Sequence, residues 1–172
     1  MKYLIIETFP VSPHFEASLE IALNLKKSGH DVFFYWCGYD LPWTDWDLPI
    51  YKKTLLFSYK KKILYAQNFL KKNSITVIEK FPLDKKIVKD IKKVVNKIKD
   101  FDKIHTQKYK KKINIGLSVY SSLVSKYHNE NLELFKKKTK NAYESGCIIY
   151  ERADNVIKTI KPNIVITFNS RF

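Results

Sequence analysis

Three short polar segments hold the side chains best suited to chemistry. The first, Pro10 to Glu16, carries a lone histidine, His14, with Ser12 and Glu16 close by. Imidazole takes up a proton near neutral pH, so His14 is a candidate general base. In the first turn of a helix it would face the positive end of the dipole, which favours the uncharged ring that a base requires. The second segment, Gly116-Leu117-Ser118-Val119-Tyr120-Ser121-Ser122, offers hydroxyls that can hold a sugar. The third, Phe168-Asn169-Ser170-Arg171, sets an amide, a hydroxyl and a guanidinium side by side. Each has a plainer alternative: His14, Glu16, Ser121 and Ser122 as helix-capping residues, and Asn169 as a turn former.

Several other chemistries lack their residues. With four glycines in the chain there is neither a GxGxxG dinucleotide fingerprint nor a phosphate-binding P-loop. There is no GxSxG elbow, HExxH or CxxC. No cofactor and no metal is therefore expected. Cys37 and Cys147 are the two cysteines, far apart and without paired histidines, and read as small buried hydrophobes.

The elements that must position these segments follow from periodicity. Tyr3 to Phe9 is an apolar run ended by Pro10, and predicts a buried strand. Ser12 as N-cap and Pro13 as first residue open a helix with apolar positions Phe15, Leu19, Ala22 and Leu23; Gly29 closes it. Asp31 to Trp36 is a second strand, so the first 36 residues form a βαβ unit and imply a parallel sheet. A loop from Cys37 to Pro49 leads to a helix over Tyr51 to Lys72 and a strand at Ile75 to Ile78. Ile87, Val88, Ile91, Val94, Val95 and Ile98 mark a further helix with lysines on its opposite, solvated face. Ile113 to Gly116 is the fourth strand candidate, followed by helix from Ser118. A long stripe from Leu132 to Ile160 implies a helix about 45 Å long unless it bends near Gly146. Asn163 to Phe168 is the last strand. The expectation is an α/β, Rossmann-like three-layer domain over residues 1–172, with a five-stranded, mostly parallel sheet. In such sheets ligands sit beyond the carboxyl ends of the strands, where all three polar segments fall. The chain stops just past its last strand, which suggests half of a larger protein.

The formal net charge is +15, from 32 Lys+Arg against 17 Asp+Glu. An anionic partner is one reading of that excess. Yet only Arg152 and Arg171 are arginines, and bidentate readers of bases or phosphates rely on arginine, so nucleic acid is not expected. No run reaches the ~18 apolar residues of a membrane span. The N-terminus lacks signal-peptide features, and the paucity of cysteine fits a cytoplasmic protein.

Pro13-His14-Phe15-Glu16-Ala17-Ser18-Leu19-Glu20 with Gly29-His30-Asp31-Val32 resembles the opening of GT-B glycosyltransferases of bacterial capsular and surface polysaccharide synthesis. Cys37-Gly38 with Leu41-Pro42, the Ser121-Ser122 pair, and Lys161-Pro162-Asn163-Ile164-Val165-Ile166-Thr167-Phe168-Asn169-Ser170-Arg171 are also similar to that family. The last matches a K-P-D-hydrophobic-N-G-R segment, with Asn163 for the usual Asp and Ser170 for the usual Gly. The likeness covers essentially the whole chain and implies one half of the GT-B architecture, the acceptor-binding N-terminal domain. It further implies that His14 is the base, and that Ser12, Glu16, Ser121, Ser122, Asn169 and Arg171 hold acceptor or bridge to the donor domain. The nucleotide-sugar half is absent, so this chain alone would be inactive. A glycan or lipid-linked acceptor, with peripheral contact at the inner membrane face, would suit the basic surface. The competing class is a non-catalytic Rossmann-like module that binds an anionic ligand or nucleic acid through its lysines.

Overall fold

A computed structural model describes residues 1–8, 12–38, 41–43, 52–78 and 81–167. The chain divides into two compact units. The first draws on the described residues up to 38, from 52 to 81, and from 153 onward; the second on 41–43 and 82–152. No sequence linker marks the division, because one continuous helix, Lys136–Ile160, crosses it.

The first unit contains β1 (Lys2–Glu7), α1 (His14–Lys27), β2 (Asp31–Trp36), α2 (Lys52–Lys72), β3 (Thr76–Ile78) and β4 (Ile164–Thr167). The sheet order is β3-β2-β1-β4 and every pairing is parallel. This is an α/β chain with a parallel sheet, consistent with a Rossmann-like arrangement. Ile5, Val32, Phe34 and Trp36 share one face and pack with Phe15 and Ala22 of α1 and Ala66 and Leu70 of α2. Leu4, Ile6 and Tyr35 on the other face are buried as well. A parallel sheet needs that double cover, which is why these strands are apolar throughout rather than alternating.

Local chemistry sets the ends of these elements. Ser28, Gly29 and His30 close α1: Gly29, at φ +79°, donates to the Lys26 carbonyl at 3.0 Å, and His30 to that of Leu25 at 3.2 Å. This paired closure needs a left-handed residue, and glycine takes it without strain. The His30 ring then lies 5.0 Å from that of Tyr3. Asn163 pins β4 to β1, accepting from the Lys2 N–H through Oδ1 at 2.8 Å and donating its own N–H to the Lys2 carbonyl at 2.8 Å. Beyond β2, Gly38 runs hard against the end of β1: a Cβ there would land on the carbonyl oxygen of Thr8. Gly38→Ala must displace backbone, and is expected to lower unfolding stability by about 3 kcal/mol in a denaturant melt.

The second unit is helical: α3 (Lys85–Asn96), α4 (Ile115–Tyr127) and the first part of α5 (Lys136–Ile160), with short 3-10 turns at Ile104–Thr106 and Leu132–Phe135. Asp84 caps α3 by accepting from the Lys86 N–H at 2.6 Å. Its apolar side buries Ile91 and Val95 against a core that includes Val119, Leu123, Tyr143 and Cys147, while its lysines are exposed, as their interleaving implies. Ser145 fastens Trp43 to α5, accepting from its N–H and donating to its carbonyl, both at 2.9 Å.

Two expectations are corrected. The sheet has four strands among the described residues, not five, and Ile113–Gly116 is not one of them. Ile113 makes an isolated antiparallel bridge to Tyr109 across a turn whose Lys110 and Lys111 are left-handed. Ile115 instead starts α4 and leads its buried stripe, Ile115, Val119 and Leu123, at helical spacing. Ser12 is likewise not the cap of α1. Pro13 takes that position without a side-chain hydrogen bond, and its carbonyl accepts from Ala17 at 3.1 Å. No described helix is long and apolar enough to cross a membrane.

Candidate functional site

The connectivity of the sheet selects one edge. From β1 the chain steps outward to β2 and β3, then returns to the other side of β1 as β4. The strand order therefore reverses between β1 and β4, and open α/β sheets bind ligands at such a reversal. Glu7, the last residue of β1, lies at this switch point.

Glu7 is 5% exposed. Its Oε1 accepts a hydrogen bond from the Ser18 hydroxyl of α1, and among the described residues no cation pairs with it. Burial pushes its carboxyl up to about 6, with the Ser18 bond opposing part of the rise. The backbone around it is well tied, since the Cys37 N–H reaches the Glu7 carbonyl at 2.9 Å and the Cys37 thiol donates to the same oxygen at 3.4 Å. A carboxyl that titrates near 6 at the mouth of a parallel sheet can hold or release a proton at physiological pH.

His14 is the first residue of α1 and is exposed. It stands four residues before Ser18, so the two share a helix face one turn apart. His14 thus precedes, by one turn, the residue whose hydroxyl meets Glu7. Glu16 points elsewhere, because residues two apart do not share a face. Its Oε1 accepts from Ser12 at 2.8 Å and pairs with Lys62 of α2 at 2.5 Å, while Lys62 also donates to the Ser12 hydroxyl at 2.7 Å. The Lys62 ammonium holds the Glu16 carboxyl below its usual range and sits 5.4 Å from the Phe15 ring centroid. Ser12, Glu16 and Lys62 thus form an exposed latch between α1 and α2, with their polar groups engaged on one another.

Two other candidates belong to the second unit. Ser121 and Ser122 lie within α4 in the second unit rather than on a loop after a strand; Ser121 is exposed and Ser122 buried. Asn169 and Arg171 lie outside the described residues. His14 thus opens the helix whose Ser18 meets Glu7, and sequence reasoning left those two residues out.

The second unit has its own buried carboxylate, Glu151, whose charge is answered by Lys110 Nζ at 2.6 Å. Burial, then Glu151 beside it, drives the Tyr109 phenol well above its ordinary range. Burial also raises the Cys147 thiol, keeping it protonated and unreactive. Among the described residues no group of three His, Cys, Asp or Glu side chains is placed to hold a metal ion. No family model, no curated protein and no solved structure matches the chain.

Proposed function

We propose that this chain is the acceptor-side half of a GT-B glycosyltransferase, which moves a sugar from a nucleotide-sugar donor to a glycan or lipid-linked acceptor. The observation that carries the reading is the buried Glu7 carboxyl, held by Ser18 at the switch point of the sheet, with His14 one turn earlier on the same helix face. The resemblance of the Pro13–Glu20 and Lys161–Arg171 stretches to that family supports it. On this reading His14 takes the proton from the acceptor hydroxyl as its oxygen bonds to the sugar carbon and the bond from that carbon to the nucleotide phosphate breaks, releasing the nucleotide. Ser18 and Glu7 are positioning residues, anchoring the first turns of α1 to β1. The Rossmann-like architecture, a cytoplasmic location and the pairing with a donor-binding half belong to the same proposal.

The closing of α1 and the seating of β4 have structural explanations of their own, so the functional weight rests on the edge of the sheet. Calorimetry provides the test. The chain should bind pyrophosphate-linked glycan acceptors, and should bind UDP-, GDP- and CMP-sugars at least about tenfold more weakly. Tight binding of any nucleotide-sugar would assign it to the donor side instead. The lysine face of α3 favours a second reading, a module for anionic ligands. Steep loss of nucleic-acid affinity with rising salt would support that reading.

A further inference from the structure

Helix α2 has two apolar sides. Ala66 and Leu70 point inward and are buried, with Ile63 half-buried beside them. On the outer side Leu64 is 57% exposed, Tyr65 71% and Phe69 40%. Lys61, Leu64, Tyr65, Asn68, Phe69 and Lys72 recur at three- and four-residue intervals, so they form one stripe along the helix. Single exposed apolar residues are ordinary, but three within six positions on one face form a patch.

The charge that α2 itself carries is of one sign. The α2 sequence contains seven lysines and no acidic residue. Lys60, Lys61, Lys71 and Lys72 are all exposed along the helix, and Lys62 pairs with Glu16. Lysine stems can lie along an apolar boundary while their ammonium groups reach outward, and aromatic rings favour the same boundary. A leucine, two aromatics and flanking lysines on one helical face match the interfacial zone of an anionic bilayer. A protein partner would more often meet arginine and paired charges.

We propose that the outer face of α2 docks this protein on an anionic lipid bilayer, with Leu64, Tyr65 and Phe69 entering the headgroup boundary and the lysines meeting lipid phosphates. The helix lies in the plane of the membrane and does not span it. This docking is independent of the glycosyl-transfer reading, since it needs neither a sugar nor His14.

Vesicle co-sedimentation tests it without any glycan present. The chain should pellet with vesicles of phosphatidylcholine mixed with phosphatidylglycerol, remain in solution with phosphatidylcholine alone, and be released by salt. Leu64→Ser combined with Tyr65→Ser should weaken partitioning at least about tenfold. Lys61→Gln and Lys72→Gln should each weaken it by about fivefold. All four positions are exposed, so the melting temperature should hold, and the lysine variants decide the matter if the apolar pair does not fold. Three results would overturn the proposal. These are equal partitioning onto neutral and anionic vesicles, a dimer in sedimentation velocity that the Leu64/Tyr65 variant dissolves, and variants that pellet as the parent does.

Discussion

Replacing His14 with alanine should slow sugar transfer by ~10²–10⁴-fold, measured in the protein that carries both the acceptor and donor halves. The magnitude is that of a positioned base whose proton transfer belongs to the rate-limiting step. Substrate binding should change little, so the loss should appear in kcat rather than KM. The side chain is exposed at the start of α1, and the helix keeps its Pro13–Ala17 hydrogen bond without it. The melting temperature should therefore stay close to that of the parent. If His14 only packs at the helix end, the opposite pattern appears: a lower melting temperature, with turnover per folded molecule intact.

Glu7→Gln should make the protein more stable above pH 6, by up to about 2 kcal/mol, and should flatten its stability profile at lower pH. The sign follows from burial. The folded carboxyl titrates near 6 against an ordinary value of 4.5, so between those limits the folded state holds more protons than the unfolded one. Stability from this group is full below pH 4.5 and is lost as pH rises towards 6 and beyond. Glutamine keeps the acceptor that Ser18 needs and removes the charge that burial penalises. Glu16 acts in the opposite sense, with a carboxyl held low by Lys62, and contributes above the usual carboxylate range. Because that pair is exposed, solvent screening keeps its contribution small. Denaturant melts at a series of pH values measure both effects. A Glu7→Gln protein less stable than the parent at pH 7 would mean that the ionised carboxylate is stabilising where it sits.

The cost of keeping an acid at that position is what makes it informative. Glutamine would also accept from the Ser18 hydroxyl, so the charge an acid takes on there above pH 6 is a cost to stability that the hydrogen bond does not require. Under the proposed function the purpose of the acid is to hold the first turns of α1 while placing a titratable group against the helix that His14 opens.

Much of the fold was legible because local rules and tertiary packing agree in the first unit. The apolar runs of β1 and β2, the Gly29 closure and the short connection between them specify one βαβ unit without reference to the rest. Ile113–Gly116 misled for the converse reason. Two isoleucines two apart fit a strand, but Ile115 also opens a stripe of period 3.6, and the longer pattern won. Ser12 misled because the helix starts after Pro13, which leaves the serine hydroxyl free to reach Glu16 rather than the backbone. The division into two units left no trace in composition because α5 runs through it unbroken.

The candidate site was half legible. His14 could be found from its type and its place after the first strand. Glu7 had a signal too, a carboxylate ending an otherwise apolar strand, and Ser18 is a polar residue between the apolar positions Phe15, Leu19 and Ala22. Only the three-dimensional structure shows that the two are buried and hydrogen-bonded to each other. Ser121 and Ser122 carried the right chemistry for a sugar, but their place at the sheet edge depended on a strand that does not form.

Backbone amide mapping by NMR, with a pyrophosphate-linked glycan acceptor titrated into the isotope-labelled chain, tests the central claim most directly. The account predicts saturable shifts at Glu7, His14, Ser18 and Thr167, around the switch point, with the lysines of α3 unmoved. Shifts confined to α3 and the other lysine-rich surfaces, or none at saturating acceptor, would contradict it.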